Sequence, residues 1–345
     1  TLVDLQRRRA VGNINIIPDG ATVGFFRDPL QWLGQSRVES RGGLNYVQDT
    51  DVSRDGSVLF VSRGHLADVA ALTIPDGELL WRTPISGFRA DHMTLSPDGK
   101  RLYVAALIYG DNVIEVLDAA SGRKLDAFEG GQWPHDVHTS PDGSRIYTAS
   151  LGDMSVDVSE RSIDEDAYII SINDSDTLER VAHMRFSSGI RPFAITADES
   201  TVYAQVSNWH GVLAAKVPDV ASAVRLELPV AEGITEADWD FEAPHHGLAL
   251  SPDEQTLCLA GRASDYAALV RTADLSLITT IAVGDAPSWV AITQSGELCV
   301  LANTRSDDVS LVSMTEQREI ARIKTGRAPK HATIAHIPVG LLQEP

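Results

Sequence analysis

Six short segments of one pattern recur along the chain: VSRDG (52–56), LSPDG (95–99), TSPDG (139–143), ITADE (195–199), LSPDE (250–254) and ITQSG (292–296). Between their Ser or Thr positions (53, 96, 140, 196, 251 and 293) the spacings are 43, 44, 56, 55 and 42 residues. A repeat of about 40–45 residues constrains the fold more than composition does. Each unit is one supersecondary element that buries its apolar face only against the next.

The repeats read as strands. In DHMTLSPDGKRLYVAALIYGDNVIEVLDAASGRKLDAFEGG (91–131), short β-branched and aromatic runs alternate with turn signals. Pro second and Gly fourth in SPDG suit a tight turn, and AASG marks the next one. Four strands per repeat predict an all-β fold, a β-propeller of four-stranded antiparallel blades. HATIAHIP (331–338) supplies a seventh first strand, 42 residues beyond the sixth at Ala335. The expectation is one seven-bladed domain over residues 1–345, its last blade closed by the N- and C-terminal segments. NINII (13–17), TVGFF (22–26) and SRVES (36–40) are the candidate closing strands, and closure removes two exposed sheet edges.

PSWVAITQSG (287–296), RPFAITADES (191–200) with TVYAQ (201–205), and LSPDGKRLYVA (95–105) resemble the blades of the YVTN/YncE-type repeat family, from about residue 45 to the end of the chain. That resemblance implies the propeller and leaves activity open, since one architecture hosts many activities. Cys258 and Cys299, in QTLCLA and GELCVL, are expected at equivalent second-strand positions of neighbouring repeats. They are expected to be buried free thiols serving as small hydrophobes.

With 29 Lys and Arg against 48 Asp and Glu, the net charge is −19, spread along the whole chain. A nucleic-acid partner needs a basic footprint, which is lacking. No apolar run of about 18 residues is present, so membrane insertion is not expected either. No basic and apolar leader opens the numbering at Thr1, as expected whether a signal peptide was removed or never existed, and the compartment stays open.

The histidines carry the functional signal. Five residues before each Ser or Thr stand Gln48, Asp91, His135, Arg191, His246, Ser288 and Lys330; four before stand Asp49, His92, Asp136, Pro192, Gly247, Trp289 and His331. These positions open the innermost strands at the mouth of a central channel. Two before, Asp51 and His138 replace the Thr or Ala of other repeats. The acidic insertions at 152–167 and 231–244 fall on the same face, where long loops are more often functional than connecting segments are.

His92, His135, His246 and His331 from four repeats are therefore expected to meet as ligands of a transition metal, copper, iron or zinc, with Asp49, Asp91 and Asp136 beside them as ligands or ring-orienting groups. Trp209, Trp239 and Trp289 are candidates for an apolar wall. The arrangement is similar to that of propeller metalloproteins such as carotenoid oxygenases and nitrous oxide reductase, although none of their diagnostic motifs occurs here. The expected function is a metal-dependent enzyme on a small-molecule substrate, with oxidative chemistry preferred. The alternative is a metal-free enzyme similar to seven-bladed lactonases and lactonising enzymes, using His138 with His135 and Asp136 beside it, Arg191 and Glu242 as proton-transfer and carbonyl-polarising groups. A non-catalytic binding protein is the third reading.

Overall fold

The hydroxyl that opens each repeat's turn explains why the motif takes the form it does. Ser96 Oγ donates to Asp98 Oδ1 at 2.6 Å while accepting the N–H of Arg101 at 2.9 Å, so one side chain fixes both limbs of the turn. Ser140, Thr196 and Ser251 repeat the arrangement with Asp142, Asp198 and Asp253. The fourth turn residue then has positive φ, +74° at Gly99, where glycine carries no Cβ penalty. Gly56 (φ +72°) is doubly constrained, because a Cβ there would lie 2.4 Å from the carbonyl oxygen of His336.

A computed structural model describes residues 1–22, 29, 32, 33, 47–107, 112–161 and 164–341. Each turn joins the first two strands of a four-stranded antiparallel sheet, whose strands follow one another in chain order. There are six such sheets among the described residues. They span Val47–Pro84, Arg89–Glu129, Pro134–Arg185, Ile190–Glu227, Leu248–Ala282 and Pro287–Lys324, counted from each first strand to the last. Apolar clusters fill the seams between neighbouring sheets: Tyr147, Ile170 and Met184 of the third pack with Phe193, Val202 and Leu213 of the fourth. This is the propeller arrangement expected from the repeats.

The seventh sector is built differently from expectation. Leu2–Asp4 and Arg9–Gly12 pair as a two-stranded hairpin, and Val3 and Leu5 pack with Ala332 and Ile334 against the sixth sheet. HATIAHIP forms no strand ladder, yet Thr333 Oγ1 donates to the carbonyl of Thr50 in the first sheet at 2.6 Å. The C-terminal segment therefore bridges sixth and first sheets by side-chain contacts. NINII is not a strand. Its Ile16 carbonyl accepts from buried Arg63 of the first sheet, whose guanidinium also pairs with Asp19 at 2.9 Å. Most of TVGFF and all of SRVES lie outside the described residues. No helix among the described residues is long and apolar enough to cross a membrane.

The cysteines are not free. Cys258 and Cys299 form a disulfide between the fifth and sixth sheets, with Cα atoms 6.5 Å apart. Their strand positions are not equivalent: Cys299 pairs with Ile292, whereas the residue paired with the matching Leu250 is Leu257 and Cys258 comes one later, so the two cysteines project from opposite faces of their sheets into one shared seam. Closing a loop of 41 residues restricts the unfolded chain by about 4 kcal/mol in the chain-entropy description. The double variant Cys258→Ala, Cys299→Ala should unfold at lower urea concentration than wild type, and reductant should shift the wild-type midpoint toward the variant's without moving the variant's own.

Candidate active site

Side chains reach the channel because the innermost strands are irregular where they begin. In five of the six sheets the register between first and second strands slips at the strand entrance: between Val47 and Asp49, Ala90 and Met93, Pro134 and Asp136, Ile190 and Phe193, and Pro287 and Trp289. Gln48, Asp91, His92, His135, Arg191, Pro192 and Ser288 are the residues skipped. A bulge re-aims side chains away from the regular alternation, and here it turns polar groups toward the axis. The fifth sheet reaches the same result with Gly247 (φ +147°), where a Cβ would stand 2.9 Å from Trp289 Cα.

The four histidines expected to converge do so. Ring centroids are 4.7 Å apart for His92 and His135, 5.5 Å for His135 and His246, 6.3 Å for His92 and His246, and 5.8 Å for His92 and His331. Trp289 stacks on His92 at 4.5 Å and lies 4.2 Å from His331, as an apolar wall. Trp239 lies 6.5 Å from His210 instead, and Trp209 sits under Arg225. His210 and His245 form a separate buried pair, Nδ1 to Nε2 3.0 Å, between the fourth and fifth sheets.

Asp49 holds the cluster from behind. Its Oδ2 accepts from His92 Nδ1 (3.1 Å) and the Met93 N–H (2.8 Å), and its Oδ1 from His331 Nε2 (3.0 Å) and the Thr50 N–H (2.6 Å). Burial disfavours the Asp49 carboxylate, but the two imidazoles outweigh burial and hold its pKa well below the ordinary value. Burial likewise opposes charge on His92, yet Asp49, with Asp91 and Asp136 beyond it, pushes that pKa up to about 9. His135 and His246 go the other way: burial, reinforced by neighbouring cationic groups, drives both well below the usual histidine range.

A second dyad lies deeper along the axis. His138 Nε2 donates to Asp136 Oδ2 at 3.2 Å and its ring meets Phe193 edge-on at 4.6 Å. The His138 side chain is 38% exposed on an innermost strand, against 3% for Asp136, so the imidazole meets channel water while the carboxylate does not. Arg191, on the adjacent innermost strand, is buried with Ser207 Oγ and the carbonyl of Phe241 as its hydrogen-bond partners and no carboxylate among them. Burial pulls its pKa down to about 10.

The chain matches the family model described as "Lactonase, 7-bladed beta-propeller" over residues 50–334. It belongs to that family. No curated protein matches it significantly. Membership in the lactonase propellers supplies the blade count of seven, of which six are complete four-stranded sheets among the described residues. It also moves the functional reading from the metal-dependent oxidative enzyme expected from the sequence toward its alternative.

Glu242 is placed otherwise than a free catalytic carboxylate would be. Arg161 grips it with both terminal nitrogens, at 2.8 and 2.6 Å, so each acidic insertion of this lactonase-family propeller contributes one partner to a clasp over the funnel. Asp240 binds Arg262 (3.2 Å) and Arg305 (3.0 Å), and the Phe241 carbonyl accepts from Arg191. Three consecutive residues are thus tied to four arginines. Beside this strap lies a polar cavity of about 360 Å³ lined by Asp238, Asp240, Arg262, Asp285 and Arg305 among others.

Sequence reasoning missed Arg161 and Asp240, whose partners are remote in the chain, and gave no role to Lys330. Burial, with Arg89 and Arg262 nearby, lowers the Lys330 pKa to about 7, and its Nζ donates to Gln48 Oε1 at 3.3 Å. Its place in the repeat, equivalent to that of Arg191, was the available signal. His65 and Tyr109 fall between second and third strands, where an antiparallel return of the chain predicts this same face; the His65 side chain and Tyr109 lie outside the described residues.

Cutting the clasp with Arg161→Ala should leave the circular-dichroism spectrum unchanged while accelerating limited proteolysis within 231–244. A double-mutant cycle with Glu242→Ala should give a coupling on the order of 2 kcal/mol, as for a hydrogen-bonded ion pair that is largely shielded from water.

Proposed function

We propose that this chain hydrolyses a small cyclic ester in the funnel of the propeller, with Asp136 and His138 moving the proton and Arg191 polarising the carbonyl. The observation that carries the reading is a channel-facing imidazole oriented by a buried carboxylate, one strand from a guanidinium that has no carboxylate hydrogen-bond partner among the described residues, in a chain of the lactonase propeller family.

Because His138 spends Nε2–H on Asp136, Nδ1 is the nitrogen left to take a proton from water. The hydroxide formed adds to the carbonyl carbon, the ring C–O bond breaks, and the departing alkoxide takes the proton back from His138. Charge that develops on the carbonyl oxygen is stabilised by Arg191, which burial has already stripped of competing water. Glu242 and Arg161 then serve as the strap that covers the funnel rather than as reacting groups.

A pH-stat assay over five- and six-membered lactones, with and without a carboxylate substituent, tests this directly. His138→Asn should lower kcat/KM by about 10²–10⁴ as loss of a general base does. Arg191→Met should lower kcat more than it raises KM. No hydrolysis of any lactone by a folded wild-type protein would overturn the reading and leave a YVTN-type binding protein in its place.

The pH profile adds a second check. Burial alone would lower the His138 pKa, but Asp136 overrides it and the net shift is upward from 6.5. The base form is thus gained only as pH rises through that elevated value, so the ascending limb of kcat/KM should lie above pH 6.5. In Asp136→Asn the limb should move to lower pH, because the main group that opposes burial is then gone and only the more distant Asp49 remains to favour the charged ring.

A further inference from the structure

We infer that His92, His135 and His246 form a site for a divalent transition metal on the propeller axis. One ring nitrogen from each lies within 4.8 Å of the other two, and the three come from the second, third and fifth blades. The argument rests on how the remaining nitrogens are spent. His92 donates Nδ1–H to the Asp49 carboxylate and His246 donates Nδ1–H to the Ser288 carbonyl at 2.9 Å. A carboxylate and a backbone carbonyl are the two partners that typically fix the tautomer of a metal-bound imidazole. Neither ring's Nε2 has a hydrogen-bond partner among the described residues.

His135 completes the set. It is 4% exposed, and its Nδ1 is buried with no hydrogen-bond partner. Buried polar nitrogens are ordinarily satisfied; a ring nitrogen of His135 lies within 4.8 Å of one ring nitrogen from His92 and one from His246, and an ion held there would take the place of a proton on His92. A metal ion that accepts one lone pair from each ring removes the cost of leaving such nitrogens unpaired. The other grouping, Asp49 with His92 and His331, is at hydrogen-bond spacing, 3.1 and 3.0 Å, so His331 belongs with Asp49 as outer support and is not a ligand.

Three neutral nitrogen donors select zinc, copper, cobalt or iron over magnesium or calcium, which take oxygen. Three protein ligands also leave at least one coordination position for water or substrate, at which the metal would supply Lewis acidity. This inference does not depend on the lactone reading, whose proton-transfer dyad and guanidinium lie outside the three ligands.

Untagged protein dialysed against a chelator and titrated calorimetrically with zinc(II) alone, and with cobalt(II) alone while visible absorption is recorded, decides it. One equivalent per chain is expected. His135→Gln and His246→Gln should each weaken binding by at least about tenfold, while His183→Ala, on an exposed outer strand, should bind as wild type does. Zinc should also raise the melting temperature of wild type and leave that of His135→Gln unchanged, which separates loss of the site from loss of the fold. No stoichiometric binding to wild type, or binding that survives both glutamine variants, overturns the site. Lactone hydrolysis is scored independently on the same preparations, so failure of either proposal is visible without the other.

Discussion

The Asp49 carboxylate is where the ring closes. It sits on the innermost strand of the first blade, accepts the Met93 N–H and the His92 imidazole from the second, and accepts His331 from the C-terminal segment that fills the seventh sector. One buried anion therefore joins three consecutive parts of the ring, and four donors compensate its desolvation. Asp51 repeats the motif two residues on, accepting the Leu95 N–H at 2.8 Å. The axial imidazoles inherit their positions from this junction, since His92 and His331 are both oriented by the group that holds their strands together.

The fold was legible because turn chemistry repeats. A hydroxyl that bonds forward to Asp and receives the N–H five residues on must recur wherever the same hairpin recurs, so spacing alone revealed the blades. Convergence of the four histidines was legible for the same reason, as positions counted from a fixed turn. The slips in register were not legible, since nothing in Ala90–Met93 or Ile190–Phe193 marks a bulge, and only pairing with the second strand reveals which residues the ladder skips. The role of Glu242 was likewise hidden, because its partner Arg161 is 81 residues away in an insertion with no repeat to align it. The disulfide was misjudged from sequence because the two cysteines were aligned as equivalent; they are one residue out of register, and since side chains alternate faces along a strand that single step turns both into one seam.

Two kinds of histidine environment occur within the same channel. Where a carboxylate receives the ring N–H, as for His92 and His138, the charged form is favoured despite burial. Where a backbone carbonyl or nothing receives it, as for His246 and His135, burial keeps the ring neutral. The sorting follows from which rings have a carboxylate within hydrogen-bond reach: Asp49 reaches His92 and Asp136 reaches His138, whereas His246 bonds the Ser288 carbonyl and His135 Nδ1 has no partner among the described residues.

The covalent link from Cys258 to Cys299 has a mechanical consequence for the ring as a whole. The sixth blade is the surface on which the N-terminal hairpin and the C-terminal segment are laid, and it is the blade that the sulfur bridge fastens to its predecessor. The junction between the C-terminal segment and the first blade has no such link and is held by the noncovalent latch between Thr50 and Thr333. That latch lies one residue from Asp49, so loosening it acts directly on the carboxylate that orients His92 and His331.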